Sequence, residues 1–232
     1  MNQLYSYYRI DRLLGYKEII DHSLMNQVNI IPMHTTVRDN VKHVVIQPGE
    51  FYASGEDVVI STILGSCVSA CMYDPVLRVV GMNHFLLSNK RYSKDMQFYL
   101  TDAGRYGINA MELVINEMLK LGARRENLRA KAFGGSSLLG LTPQSDNFFC
   151  VGEVNSRFIM EFLKNERIPL VASNMGGDKG RVIRFSSADF SVLMRSIRKT
   201  VMPKVAKDER KFWLRSLKEQ KKKETAEPDL WG

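Results

Sequence analysis

A cysteine and a histidine, Cys67 and His84, are the residues best suited to covalent chemistry. Cys67 follows Gly65-Ser66 between the apolar runs of VVISTILGSCVSACMYD, and His84 lies in VVGMNHFLLS. The Gly-Ser turn carries little side-chain bulk, so a substrate could approach the sulfur. An imidazole that takes the proton of a thiol makes the cysteine a strong nucleophile. The pair predicts nucleophilic catalysis. The alternatives are a small core thiol and a half-buried structural histidine.

The other two cysteines, Cys71 and Cys150, are interpreted as core residues. Cys71 follows Cys67 by four residues, and this even spacing places both on one face of a strand. A zinc site built from the three cysteines and His84 is an alternative. The C-x₃-C spacing with a lone histidine matches no usual zinc motif, so we expect no metal and no organic cofactor.

Two glycine-rich segments, FGGSS and MGGDKGR, invite comparison with phosphate-binding loops. Neither has the P-loop spacing or the strand-to-helix setting of a dinucleotide fingerprint. Both are interpreted as tight turns near a site. Within the first segment, Gly134-Gly135 would let a substrate backbone come close.

The elements that must position Cys67 and His84 are short strands. Four runs rich in β-branched and aromatic residues are separated by turn formers such as Pro48-Gly49 and Asp74-Pro75. The spacing predicts antiparallel neighbours, since parallel crossovers need a dozen or more residues. The four runs are HVVIQPGEFYAS, DVVISTIL, CVSACMYD and RVVGMNHFLLS.

Helices and further strands follow. RYGINAMELVINEMLKLGARREN has one apolar face and ends before Gly122, which predicts a helix. NSRFIMEFLKNERI predicts a second helix with Asn155 as its N-cap. LRAKAFGGSSLL and IPLVASNMGGDKG are each interpreted as a strand running into a turn, and RVIRFSSADFSVLMRSI as a hairpin. The mixture of strands and helices predicts an α+β fold of packed mixed or antiparallel sheets flanked by helices.

Composition narrows the class of protein. The chain has 232 residues, three cysteines and a net charge of +8. It shows no apolar run long enough to cross a membrane and no export signal, which predicts a cytoplasmic protein with free thiols. None of the usual nucleic-acid-binding motifs is present, so we expect no nucleic-acid partner.

The two ends differ from the middle. Residues 1–42 are interpreted as an N-terminal extension of unknown role, residues 43–200 as the catalytic domain, and residues 201–232 as a charged C-terminal tail. Phe212, Trp213 and Leu217 could line one side of a helix, but a solvated tail is favoured. We therefore expect its removal to leave activity nearly unchanged.

Several of these motifs occur together in one family. ILGSCVSACMYDP, GMNHFLL, RYGINAMELVINEMLKLGARRENLRAKAFGGSSLL and VGEVNSRFIMEFLKNERIPLVASNMGGDKGRVIRF resemble the chemoreceptor glutamine deamidases of the CheD family, over about residues 44–197. The resemblance implies the cysteine-hydrolase fold of toxin deamidases such as cytotoxic necrotizing factor. It implies conversion of receptor glutamine side chains to glutamate in chemotaxis adaptation, in many members with hydrolysis of receptor glutamate methyl esters. Chemoreceptor cytoplasmic domains would be the substrate. The phosphatase CheC is a further implied partner, and a non-catalytic adaptor that binds receptors or CheC is the alternative function.

The resemblance also implies roles for individual residues. Cys67 would be the nucleophile and His84 its histidine. The third polar residue of the family is a threonine whose place falls on Ser61 in a gapless match, with Thr62 next to it, so both are candidates. The backbone N–H groups of the Gly65-Ser66-Cys67 turn are expected to stabilise the oxyanion.

Overall fold

The computed structural model describes residues 34–38, 40–87, 102–137, 151–197 and 200–226. They belong to one compact unit, Met33–Gly232. Outside the described residues lie Cys150, most of the predicted N-terminal extension and most of the segment 88–103. The compact unit nevertheless begins earlier than the predicted boundary at residue 43, because residues 34–38 and 41–42 are paired strand residues.

The described chain forms ten strands and three α-helices. The strands are β1 His34–Arg38, β2 Val41–Val45, β3 Phe51–Ser54, β4 Val58–Leu64, β5 Val68–Asp74, β6 Val79–Asn83, β7 Arg129–Gly134, β8 Leu170–Met175, β9 Arg181–Ser186 and β10 Val192–Ser196. The helices are α1 Asp102–Lys120, α2 Val151–Asn165 and α3 Met202–Ala226, and a 3-10 turn spans Arg125–Asn127. These elements confirm the predicted α+β class.

The strands form two five-stranded sheets, in the orders β1-β2-β4-β9-β10 and β3-β6-β5-β7-β8. One apolar core contains side chains from both sheets, including Ile60 and Ile183 of the first and Val80 and Met82 of the second. A second core joins the other face of the second sheet to α1 and α2. The sheets therefore pack against each other, and the two helices cover one of them.

One pairing differs from the prediction of antiparallel neighbours. β2 pairs with β4 in parallel, in the register Lys42 with Val58. This is possible because the intervening β3 leaves the first sheet and pairs with β6 of the second. The crossover that a parallel pair requires thus runs through the other sheet.

The helices begin earlier than predicted, and this changes the place of one residue. α1 begins at Asp102 and is followed by Gly122 at φ 98°, so the predicted C-terminal stop is confirmed. α2 begins at Val151, which places Asn155 inside the helix rather than at its N-cap. Asn155 is fully buried there.

The C-terminal region is not the solvated tail that was favoured. Residues 202–226 form α3, and Trp213 and Leu217 are buried in the core between the sheets. Their burial supplies the apolar contact that holds a charge-rich segment on the domain. No helix in the described part of the chain combines the length and apolar content needed to cross a membrane.

Candidate active site

Cys67 and His84 are brought together by one strand pairing. Cys67 lies in the connection between β4 of the first sheet and β5 of the second, and His84 directly follows β6. Val68 and Phe85 form an antiparallel bridge, with both N–H···O distances at 3.0 Å. In an antiparallel pair, residues one before each bridge member lie diagonally across the two strands on the same face, and the Cys67 sulfur and a His84 ring nitrogen lie within 4.8 Å of each other. The predicted pairing of the two side chains is thus present.

Thr62 orients the imidazole. Its hydroxyl donates to the Ile46 carbonyl at 2.7 Å, and the same oxygen lies 2.7 Å from His84 Nδ1. Since a hydroxyl has one proton, Nδ1 must donate to Thr62 Oγ1. Nε2 is then the unprotonated nitrogen, and it is buried without a hydrogen-bond partner among the described residues. A histidine held in this tautomer can accept a proton through Nε2.

Ser61 occupies a different environment. Its hydroxyl donates to the Val44 carbonyl at 3.4 Å, whereas the hydroxyl partner of His84 is that of Thr62. The difference follows from the alternation of side chains along β4, which sends neighbouring residues to opposite faces. Of the two predicted candidates for the third polar residue, the structure brings only Thr62 to the imidazole.

The Gly65-Ser66-Cys67 turn presents its backbone N–H groups to one carboxylate. Glu209 of α3 accepts from Gly65 N and Ser66 N at 2.7 Å each, from Ser66 Oγ at 2.7 Å and from Cys67 N at 3.4 Å. A Cβ at Gly65 would lie 2.8 Å from Glu209 Oε2, so the lack of a side chain there lets the anion approach. The turn is therefore an anion-binding site, as its predicted oxyanion role requires.

The carbonyl groups of the same turn accept hydrogen bonds from the segment after β7 and from α2. Each accepts one hydrogen bond of 2.8 Å: Gly65 O from Ser136 N, Ser66 O from Asn155 Nδ2, and Cys67 O from Gly135 N. Asn155 Oδ1 also accepts from Leu87 N at 2.8 Å, which joins α2 to the segment after His84. These bonds preorganise the turn, and sequence reasoning missed both Asn155 and Ser136 in this role.

Gly134 and Gly135 lie against the backbone of Cys67. A Cβ at Gly134 would lie 2.1 Å from the Cys67 carbonyl oxygen, and one at Gly135 would lie 1.9 Å from Ser156 Oγ. Both residues also have positive φ, 117° and 69°. The structure thus gives these glycines a packing role beneath the turn, and close approach of a substrate is not needed to explain them.

Burial sets the electrostatics of the pair. Cys67 is 0% and His84 2% exposed. Burial raises the pKa of the Cys67 thiol well above its usual range, and the charge of Glu209 raises it further. Burial lowers the pKa of His84 to about 3, which a hydrogen bond with the Ile46 backbone only partly opposes. In this closed arrangement, burial and the neighbouring carboxylate therefore both oppose formation of the Cys67 thiolate.

Three buried side chains, Cys67, His84 and Glu209, have ligand atoms within 4.8 Å of one another and could chelate a metal ion. However, each Glu209 oxygen already accepts two hydrogen bonds from the turn. A carboxylate offers about four lone-pair sites. The accepting sites of the Glu209 carboxylate are therefore already filled by hydrogen bonds from the chain itself. Of the other cysteines considered for a zinc site, Cys71 lies outside this cluster and Cys150 lies outside the described residues.

The buried neutral imidazole predicts a pH-dependent stability. The pKa of His84 is about 3 in the folded chain and about 6.5 in an unfolded one, so acidification protonates the unfolded state first. Stability from this residue is present above pH 6.5 and is lost as the pH falls toward 3. Between pH 7 and 5 the loss is about 2 kcal/mol. Urea unfolding should show this loss in wild type and in His34→Gln, whose histidine is exposed on β1. An equal pH effect in His84→Gln would contradict the assignment.

Comparison with known proteins shows which family the chain belongs to. The chain is 55% identical over 173 residues to "Probable chemoreceptor glutamine deamidase CheD 1" of Geobacter sulfurreducens. The matched region covers 74% of this chain and 86% of that protein. The chain belongs to the CheD family. The family model described as "CheD chemotactic sensory transduction" matches residues 86–196. That match begins after His84, so it does not include Thr62, Cys67 or His84.

Two further CheD relatives come from other bacteria. "Probable chemoreceptor glutamine deamidase CheD 2" of Shewanella oneidensis is 47% identical over 150 residues, or 64% of this chain and 74% of that protein. "Probable chemoreceptor glutamine deamidase CheD" of Agrobacterium fabrum is 49% identical over 145 residues, or 62% of this chain and 74% of that protein. The resemblance to the CheD family predicted from the sequence is confirmed.

Proposed function

We propose that this CheD family member is a protein-glutamine deamidase that converts selected glutamine side chains of chemoreceptor cytoplasmic domains to glutamate. The observation that carries the proposal is the arrangement of Thr62, His84 and Cys67 beside backbone donors that hold a carboxylate. A deamidase must bind an amide and release a carboxylate at one place, and this turn holds such a group. The names of the relatives supply the chemoreceptor as substrate. A reaction on the cytoplasmic domains of receptors would take place in the cytoplasm.

The reaction proceeds by acyl transfer. His84 Nε2 takes the proton of Cys67, and the thiolate attacks the carboxamide carbon of the receptor glutamine. The N–H groups of the Gly65-Ser66-Cys67 turn stabilise the oxyanion. Protonated His84 then gives its proton to the leaving ammonia, which leaves a thioester between Cys67 and the substrate side chain. Water activated by the same imidazole hydrolyses the thioester to glutamate and the free thiol.

A glutamate methyl ester would react at the same site, because only the leaving group changes from ammonia to methanol. Mass spectrometry of a receptor cytoplasmic fragment, incubated with the full chain and digested, tests both reactions. We expect a mass increase at particular glutamines and a loss of methyl groups at methylated glutamates. A receptor fragment left unchanged both by wild type and by Glu209→Ala, which removes the carboxylate bound to the turn, would favour the alternative of a non-catalytic adaptor. Whether the chain also binds the phosphatase CheC stays a prediction.

The contact of Thr62 with His84 predicts that loss of the Thr62 hydroxyl lowers activity more than loss of the Ser61 hydroxyl. Thr62→Val keeps the shape of the side chain but removes the acceptor for Nδ1–H, so the imidazole loses its orientation. We expect kcat to fall by up to about 10²-fold, the scale of misplacing a reacting group by about an ångström, with KM nearly unchanged. Thr62→Ser should retain activity, and Ser61→Ala is the matched control. A loss of kcat in Ser61→Ala and not in Thr62→Val would reverse the assignment.

A further inference from the structure

The feature of the site that the proposed reaction does not use is Glu209. Although α3 is rich in charge, this carboxylate is 2% exposed. No salt bridge joins it to a cationic side chain among the described residues, and its partners are N–H and O–H groups of the turn. A buried carboxylate is costly unless it is hydrogen-bonded in this way. Glu209 is thus held at the position that the oxyanion of the reaction would take.

The contacts of Glu209 match those of a product. Two backbone donors at 2.7 Å have the distance expected for an oxyanion hole. The same carboxylate lies within 4.8 Å of Cys67 Sγ and of a His84 ring nitrogen. The reacting group of the proposed substrate becomes a glutamate side chain, which is the chemical group found here.

Apolar contacts hold the helix in place. The buried residues of α3 form one face of the helix; they are Met202, Ala206, Glu209, Trp213, Ser216 and Leu217. Trp213 is 1% exposed, and the Phe212 ring lies 2.9 Å from the position of a Cβ at Gly49. Glu209 is the only acidic residue of this face within the described side chains. The helix is therefore anchored on both sides of the carboxylate.

A closed site requires an opening step. Cys67 is 0% exposed, so a protein substrate does not reach its sulfur in this arrangement. The Glu209 carboxylate that lies against the turn belongs to α3, and no strand of either sheet includes a residue of α3. Because α3 is part of neither sheet, its movement away from the turn would break no strand pairing.

We propose that α3 is an autoinhibitory segment whose Glu209 occupies the active site as an internal product mimic, and which must move before a receptor glutamine can enter. The inference rests on the proposed function and deepens it, because it identifies a regulation of the same site. Partners or receptor segments that bind α3, or compete with it for the turn, would activate the enzyme.

The first test removes the carboxylate. Glu209→Ala should raise deamidation of a receptor cytoplasmic fragment by about 5- to 150-fold, the usual range of coupling between two binding events. Alkylation of Cys67 by iodoacetamide should rise in the same protein, with Cys71 in the same digest as internal reference. Asp208→Ala changes an exposed acidic residue of the same helix and is the matched control. Unchanged turnover and alkylation in folded Glu209→Ala would overturn autoinhibition while leaving the deamidase proposal intact.

The second test makes the chain its own substrate. Glu209→Gln places a carboxamide beside the thiol in a side chain of nearly the same shape. Cys67 should attack its carbonyl carbon, ammonia should leave with the proton from His84, and water should hydrolyse the thioester to restore glutamate. Peptide mass spectrometry should therefore find glutamate at position 209 in Glu209→Gln and the unreacted amide in Glu209→Gln combined with Cys67→Ala.

The outcomes separate the two proposals. A chain that deamidates the receptor fragment but leaves its own introduced amide intact would show that Glu209 does not take the reacting position. A chain that converts neither the receptor fragment nor its own amide, with Glu209→Ala equally inactive, would overturn the deamidase function itself. Since Glu209→Gln preserves the shape of the side chain, this test does not depend on whether Glu209→Ala folds.

Discussion

Cys67→Ala should reduce deamidation of a receptor fragment to background. The side chain that attacks the carboxamide is deleted, and the neighbouring Ser66 hydroxyl is bound to Glu209 rather than to His84. Loss of the nucleophile in a hydrolase costs on the order of 10⁶-fold in turnover, which a mass-spectrometric assay records as no reaction. The fold should be kept, because one small side chain is removed from the turn.

Cys71→Ala is the matched control. Cys71 is also fully buried, but it lies in β5 and outside the cluster of Cys67, His84 and Glu209. We expect Cys71→Ala to lose roughly 1 kcal/mol of stability and to keep its activity. Both variants are compared in the full chain and again in Glu209→Ala, in which we expect the site to be open. Near-normal turnover in Cys67→Ala would refute the nucleophile assignment.

The pairing of Cys67 with His84 could be predicted because it depends on local information. The Gly-Ser turn, two apolar runs and the next strand determine a hairpin-like arrangement within about twenty residues of chain. The helical faces of α1 and α2 were predictable for the same reason, since their apolar residues recur at helical spacing. The first turn of α1 was not predictable, because the helix begins at Asp102 in a polar sequence without apolar periodicity.

The choice between Ser61 and Thr62 needed the strand register. Neighbouring residues of a strand point to opposite faces, and the sequence of β4 is apolar on both. A two-sided apolar pattern does not tell which face meets His84. Only the partner strands settle it, since Ile46 and His84 both lie on the side of Thr62.

Glu209 was beyond local reasoning, because 142 residues separate it from Cys67. One signal was present in the sequence. Met202, Ala206, Trp213 and Leu217 follow helical spacing, and Glu209 falls in the same stripe. A single acidic residue inside an apolar stripe indicates a buried carboxylate that needs donors. The overall charge of the segment concealed this stripe.

His84→Gln should lower turnover by about 10²–10⁴-fold, the usual span for a positioned proton-transfer group. Glutamine can keep a hydrogen bond with Thr62, but it takes no proton from Cys67 and gives none to ammonia. The reaction would then depend on thiolate formed by the solvent. The residual rate should therefore rise about tenfold for each pH unit below the pKa of the thiol, while the wild-type rate changes far less.

A structural role for His84 gives a different result. It predicts a lower melting temperature, with a normal rate and a normal pH profile in the molecules that stay folded. Turnover from pH 6 to 9 and thermal melting are therefore measured on the same samples of wild type and His84→Gln, each in the full chain and in Glu209→Ala. The opened background is needed because Glu209 raises the pKa of Cys67 in the closed site. A folded His84→Gln protein whose rate and pH profile match those of wild type would remove the imidazole from the mechanism and leave Cys67 without its base.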